Sequence, residues 1–121
     1  MKIEREQTPG LNSFTGYGPG YVEVNRERHA GSVIVSGDRL MPWSARSAQE
    51  VTRADIAPIV ALAPEIVLIG TGSAFVFPDP ASLADLHASR VGVEVMDTQA
   101  ACRTYNILLG EGRNVVAALI V

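Results

Sequence analysis

The stretch GVEVMDTQAACRTYNILL, residues 92–109, joins a short apolar run to a segment with helical periodicity and decides the fold. Residues 91–96 predict a strand, and Asp97 with Thr98 supplies side-chain oxygens that cap a helix start. The apolar residues of that helix recur at the spacing of one helical face, and they are Ala101, Cys102, Tyr105, Leu108 and Leu109. We expect this face to lie against a sheet.

The segments around this unit predict further strands and helices. Residues 66–70 and 114–121 are apolar at both odd and even positions, which indicates strands covered on both faces, as in a parallel sheet. A helix predicted from Asp79 to about Ser89 gives the 66–70 and 91–96 strands the crossover of a parallel βαβ unit. Another helix is expected to begin at Thr52-Arg53-Ala54-Asp55, which resembles a capping box.

The N-terminal third predicts a β meander that follows an arm. Runs of β-branched and aromatic residues at 21–24, 32–36 and 39–43 are separated by turn residues, and Pro42 places the third run at a sheet edge or ends it. Residues 1–13 are polar, and we expect an arm whose order depends on docking. The predicted class is therefore α/β in three layers, with a central sheet, helices and an additional N-terminal meander.

The composition indicates one soluble domain over residues 1–121. The chain is 47% hydrophobic and 19% charged, with a net charge of −3 that gives no footprint for nucleic acid. Cys102 is the only cysteine, which excludes an intramolecular disulfide and suits a reducing compartment. No apolar run approaches the roughly 18 residues of a membrane span, and the N-terminus is charged where a signal peptide is apolar. We expect a cytoplasmic protein without direct membrane insertion.

A candidate binding corner lies where the predicted parallel strands end. Gly70-Thr71-Gly72 follows one strand, and Asp97 with Thr98 follows its neighbour, so the two segments should meet at one sheet edge. Backbone donors of the glycine loop and of the helix start could hold a carboxylate, a phosphate or a partner's carbonyl group. A dinucleotide site is not supported, because Phe75 replaces the third glycine of the fingerprint. A turn with positive-φ glycines explains the same residues.

A polar row extends the candidate corner along the last helix. Gln99, Arg103 and Asn106 are spaced to lie along one line, and together they could read a polar ligand. The same row also fits an ordinary solvated helix face. The full set of candidate ligand-binding residues is therefore Gly70, Thr71, Gly72, Asp97, Thr98, Gln99, Arg103 and Asn106.

Catalytic, metal and cofactor sites receive no support from the residues. Cys102 lies on the core-facing stripe, where a buried and inert thiol is favoured over a nucleophile. His29 and His87 have no second ligand or triad partner at useful spacing. Trp43, Phe75 and Phe77 could line a groove, but large aromatic residues usually belong to the core.

Several segments together resemble domain of unknown function family 498, namely residues 69–72, 92–98, 101–106 and 111–113. The resemblance extends to Trp43 and the glycine-rich meander, and so it covers the chain from about residue 14 to the end. The family includes the mitochondrial complex I assembly factor 3 proteins and an adipogenesis-associated relative. It implies a three-layer α/β fold with a central mixed five-stranded sheet and an added β layer.

Two functional hypotheses follow. The resemblance implies a non-enzymatic binding or assembly module whose partners are proteins, such as a component of respiratory or membrane-complex assembly. The alternative is an enzyme or a small-ligand or anion binder at the Gly70-Thr71-Gly72 corner, with Arg103 as anion clamp and Asn106 as orienter. The oligomeric state is open, because an edge strand near residues 39–43 could pair with another copy or be covered by the arm.

Overall fold

The computed structural model describes residues 10–121, which form two sheets and three α-helices. The helices are α1 (Arg53–Ala61), α2 (Ala84–Ala88) and α3 (Thr98–Gly110). The strands are β1 (Phe14–Gly18), β2 (Tyr21–Val24), β3 (Glu27–His29), β4 (Val33–Val35), β5 (Leu40–Pro42), β6 (Ile66–Thr71), β7 (Gly92–Met96) and β8 (Val115–Ile120). Strands β1 to β3 form an antiparallel sheet, and the other five form a mixed sheet in the order β5-β4-β8-β6-β7.

The neighbouring strands β6 and β8 run parallel in the interior of the mixed sheet and form the centre of the fold. Their register pairs Ile66 with Val115 and Thr71 with Ile120, and every residue of β8 is buried. Strand β7 pairs in parallel with β6 on the other side, where Ile66 lies opposite Gly92. The predicted parallel arrangement and the predicted double-sided burial of β6 and β8 are therefore confirmed.

The alternation of side chains along β6 and β8 fills two separate cores. Val67 and Ile69 belong to a core that also contains Ile56 and Ile59 of α1 and Leu86 of α2. On the other face, Leu68 and its β8 neighbours pack with α3 and with the sheet formed by β1 to β3. The predicted α/β architecture of three layers, with a central mixed five-stranded sheet, is confirmed.

The N-terminal meander is divided between the two sheets, which corrects the prediction of one added unit. The chain reverses after β2 through Asn25 and Arg26, whose φ angles of 49° and 70° lie in the left-handed region that tight turns require. Strand β4 then pairs antiparallel with β8, and β5 forms the sheet edge predicted from Pro42. Strands β1 and β3 were not predicted, because the glycine-rich sequence of β1 and the charged sequence of β3 lack a strand pattern.

Both predicted helix starts in the middle of the chain are present. The Thr52 N–H donates to the Asp55 carboxylate over 2.9 Å, and the Asp55 N–H donates back to the Thr52 hydroxyl, which completes the capping box. Asp79 caps the next helical segment by accepting from the Ala81 N–H. That segment is a 3₁₀ turn at Pro80–Leu83 followed by the short α2, and so it is less regular than the single helix predicted over 79–89.

Helix α3 packs with the face that the periodicity indicated. Asp97 caps it by accepting from the Ala100 N–H over 2.9 Å, and Ala101, Cys102, Tyr105 and Leu109 are buried. The Tyr105 ring meets the Phe14 ring edge-on, with 5.1 Å between the centroids, and its hydroxyl donates to the Asn12 carbonyl.

The predicted arm over residues 1–13 lies largely outside the described residues. At its C-terminal end, the Asn12 N–H donates to the Gly37 carbonyl over 2.8 Å, and Ser13 is buried. Among residues 10–121, no helix combines the length and the apolar character needed to cross a membrane.

Candidate functional site

The end of β6 and the start of α3 are in direct contact, as the sequence predicted. The Thr98 hydroxyl donates to the Ile120 carbonyl over 2.5 Å and accepts from the Gly72 N–H over 2.8 Å. The Thr98 N–H donates to the Gly72 carbonyl over 2.9 Å. One threonine thus joins the helix start to the glycine loop and to the end of β8.

Gly70 is needed because the helix approaches the strand closely. A Cβ atom at Gly70 would lie 2.7 Å from Cδ2 of Leu119 and 3.0 Å from the Cα of Thr98. Gly72 has a φ angle of 94°, which L side chains rarely adopt. The close approach at Gly70 and the positive φ angle of Gly72 therefore explain both glycines without a ligand.

The loop after β6 is folded back onto the strand by Thr71. Its hydroxyl donates to the Ala74 carbonyl over 2.6 Å and accepts from the Val76 N–H over 3.2 Å. Val76 packs against the core below the central sheet. The backbone of residues 72–76 is consequently fixed at two points.

A cleft of about 570 Å³ opens above this corner. It is bounded by the hairpin between β1 and β2, by residues 46–49, by the loop after β6 and by the first turn of α3. Of the eight candidate residues, Thr71, Gly72, Thr98 and Gln99 line the cleft, whereas Gly70, Asp97, Arg103 and Asn106 do not. The sequence therefore identified two of the four bounding segments, the loop after β6 and the first turn of α3. It missed the other two, which include Tyr17, Tyr21 and Arg46.

The predicted polar row on α3 is divided among three environments. Gln99 is exposed at the cleft. Arg103 is also exposed, and its guanidinium donates to the Tyr17 hydroxyl over 2.7 Å. Asn106 is only 8% exposed, and its amide accepts from the Phe14 N–H over 2.9 Å and donates to the Phe14 carbonyl over 2.7 Å. Asn106 is therefore a clamp between α3 and β1, and its polar atoms are not available to the cleft.

The Cys102 thiol has no exposed surface, which matches its place on the apolar stripe. Burial raises the pKa of Cys102 to about 12, against a smaller opposing effect of the Arg103 charge. Burial likewise raises the pKa of the Tyr105 hydroxyl. Both groups are protonated at neutral pH. In the described part of the chain, His, Cys, Asp and Glu side chains nowhere form a group of three that could hold a metal ion.

Two aromatic residues that the sequence favoured for the core are on the surface instead. Phe75 is 61% exposed and Phe77 is 56% exposed, and their ring centroids lie 6.4 Å apart. Trp43, by contrast, is buried and donates its ring N–H to the Asp55 carbonyl over 2.9 Å. The alternation of Phe75, Val76 and Phe77 is the signal that could have separated the inward residue from the two outward ones.

The family model described as "Protein of unknown function (DUF498/DUF598)" matches residues 14–120. The chain belongs to this family. A DUF498/DUF598 relative described as an uncharacterized protein of Rhodobacter capsulatus is 35% identical over 113 residues, which are 92% of this chain and 86% of the relative. A crystal structure of a Bordetella parapertussis protein has 42% identity and a TM-score of 0.87, and the match covers 92% of this chain and 96% of that one.

Assembly factors are also among the relatives of this DUF498/DUF598 chain. The NADH dehydrogenase [ubiquinone] 1 alpha subcomplex assembly factor 3 of Bos taurus is 36% identical over 120 residues, which cover 98% of this chain and 65% of the relative. The chain thus spans about two thirds of the length of that assembly factor. The resemblance identified from the sequence is confirmed.

Proposed function

We propose that the chain is a non-enzymatic, assembly-factor-like module that acts by binding a protein partner. The relatives named as assembly factors support this class of function, and the partner we favour is a component of respiratory or membrane-complex assembly. The observation that carries the proposal is the exposed pair of phenylalanine side chains after β6. We call the side chains of Phe75 and Phe77 the Phe75–Phe77 surface.

The Phe75–Phe77 surface is held in place by the strand that precedes it. Thr71 fixes the backbone on both sides of Phe75 through Ala74 and Val76, and the buried contacts of Val76 anchor the segment between the two rings. A preorganised aromatic pair loses little conformational entropy on binding. Exposed aromatic side chains of this kind are typical anchors of protein interfaces, where they fill apolar pockets of the partner. The partner should therefore present apolar side chains to the two rings.

The expected contribution of the pair can be worked from its exposure. Burying a whole Phe side chain stabilises by about 1.5–3 kcal/mol. Because each ring is only a little over half exposed, a partner that covers both rings gains roughly 2–3 kcal/mol. Loss of that contact should raise the dissociation constant by roughly 30- to 150-fold.

The test compares a double variant of the proposed surface with a single variant of an exposed apolar residue elsewhere. Phe75→Ser/Phe77→Ser removes the proposed surface, and Ile107→Ser removes a side chain of α3 that is likewise 61% exposed and does not line the cleft. Each tagged protein is purified from cells that contain the natural partners, and partners are quantified by mass spectrometry. We expect a stoichiometric partner with the wild type and with Ile107→Ser, and its loss from the double variant at an unchanged melting temperature.

Two results would contradict the proposal. Equal recovery of the same partner by the double variant and by Ile107→Ser would remove the binding role of the two rings. Absence of any stoichiometric partner from the wild type would argue against a binding module altogether. Light scattering on the purified protein tests whether a second copy of the chain covers the Phe75–Phe77 surface instead. Such self-association would appear as a concentration-dependent dimer that the double variant loses.

A further inference from the structure

We propose that the cleft above the end of β6 binds a small organic anion, a carboxylate or a phosphate joined to an apolar or aromatic body. This site is separate from the Phe75–Phe77 surface and would bind its ligand whether or not a partner is present. The volume of about 570 Å³ suits a small molecule, since ligand pockets commonly enclose about 300–1,000 Å³. Both polar and apolar groups line it, as a ligand with a charged head and an apolar body requires.

The side chains that line the cleft favour an anion. Among the described residues that line the cleft, Arg46 is the one with a charged side chain, and none is an aspartate or a glutamate. This arrangement contrasts with the net charge of −3 of the whole chain. The ion pairs among the described residues are Arg53 with Asp85 and Arg113 with Glu65, and neither involves Arg46. The Arg46 guanidinium therefore keeps its donors for a ligand.

The first turn of α3 adds a second favourable contribution from another part of the lining. Thr98 and Gln99 line the cleft at the helix start, where backbone dipoles give a partial positive charge. The Asp97 carboxylate accepts from the Ala100 N–H as the helix cap and does not line the cleft, which limits its opposition to an anion. Gln99 is exposed there and supplies an amide that can donate to a carboxylate or phosphate oxygen.

Apolar groups of the same lining would hold the body of the ligand. Tyr21, Ala48, Val76 and Ile120 all line the cleft. The Tyr21 ring is seated against Gly18, where a Cβ atom would lie only 2.5 Å from it, and the Arg28 guanidinium lies 4.2 Å from its centroid. These two neighbours restrict the ring, which gives the cleft a preformed aromatic side chain.

The test uses three probes that share an aromatic body, namely phenyl phosphate, benzoate and the neutral benzyl alcohol. Each is titrated into the whole chain and followed by the backbone amide signals in ¹H–¹⁵N NMR spectra. We expect saturable shifts at Gly18, Gly72 and Gln99 with one or both anions, and binding of benzyl alcohol at least about tenfold weaker because a charge-assisted hydrogen bond is lost. Comparison of the two anions distinguishes a phosphate from a carboxylate ligand.

Matched variants assign the charge effect to the cleft. Arg46→Gln should weaken binding of the preferred anion by roughly tenfold or more, since it removes the charged donor. Because Arg46 is exposed, the substitution should leave the fold intact. Arg39→Gln makes the same change of net charge at an exposed residue outside the cleft and should leave binding unchanged. Equal weakening by the two variants, equal affinity for the neutral probe, or the absence of saturable shifts at the cleft amides with either anion would overturn the proposal.

Discussion

The Asn106 amide should contribute more to stability than the exposed polar side chains of α3. It closes two hydrogen bonds to the backbone of Phe14, a residue with no exposed surface that lies 92 positions earlier in the chain. In Asn106→Ala the Phe14 N–H and carbonyl lose these partners, at a cost of about 1–3 kcal/mol for each buried group left unsatisfied. Alanine regains up to about 0.7 kcal/mol of helix propensity, which is smaller. We therefore expect a net loss of roughly 2–4 kcal/mol.

Gln99→Ala is the matched control for this change. It removes an amide from the same helix, but at an exposed position, and should change stability by no more than about 0.5 kcal/mol. Urea unfolding followed by the fluorescence of Trp43, the only tryptophan and a buried one, measures both variants. If Asn106→Ala proved as stable as Gln99→Ala, the clamp between α3 and β1 would have no energetic weight, and our reasoning about it would be refuted.

Asn106→Asp tests the direction of the two hydrogen bonds. One carboxylate oxygen can still accept from the Phe14 N–H, but the other replaces the donor that is 2.7 Å from the Phe14 carbonyl. Burial and this carbonyl should raise the pKa of the new carboxyl in the folded state above its unfolded value of about 3.9. The protonated form can donate to the carbonyl, so the variant should lose stability relative to wild type as pH rises through the folded pKa. A loss that grows instead as the pH falls would contradict the assigned geometry.

Two further predictions concern Gly70 at the end of β6 and Cys102 in the core. Gly70→Ala should destabilise the protein by about 1–3 kcal/mol, because its Cβ would press on Leu119 and on the backbone of Thr98. Gly110→Ala has open space around its Cβ and should be neutral or stabilising by up to about 1 kcal/mol. Urea unfolding of both variants measures the two changes. At pH 8 the Cys102 thiol should resist a disulfide reagent until the chain unfolds, since burial raises its pKa to about 12; rapid native-state labelling would show that the thiol is accessible.

The interior of the fold could be predicted because its signals are local and repeated. The six consecutive buried residues of β8 form one short apolar run that predicts a strand. The helix starts are likewise predicted within a few residues, by the capping residues Asp97 and Asp55. The pairing of β6 with β7 followed from the length of the connection between them. The contact between Gly72 and Thr98 was then a consequence of topology, which is why two of the segments that bound the cleft could be named in advance.

The rest depended on contacts between residues that are distant in the chain. No residue near Asn106 in the sequence indicates that its amide hydrogen-bonds to the backbone of Phe14. The spacing of three polar residues along a helix is the same whether all three are exposed or one of them is buried and bonded to another element. Tyr17 reaches the cleft through the packing of the N-terminal sheet on the central layers, and Arg46 lines it from the connection between β5 and α1. The exposure of Phe75 contradicts the general preference of aromatic residues for the interior, and such local exceptions are expected at functional surfaces.

The Phe75–Phe77 surface and the cleft are neighbours through a single segment. Ala74 and Val76 line the cleft, while the two phenylalanine rings that alternate with them are exposed and are absent from its lining. Because the Thr71 hydroxyl fixes this segment, both surfaces are built on one rigid support. The variants nevertheless separate them, since Phe75→Ser/Phe77→Ser leaves Arg46 in place and Arg46→Gln leaves both rings. Loss of partner binding in the first and of anion binding in the second would establish two sites, whereas loss of both in either variant would establish one composite site.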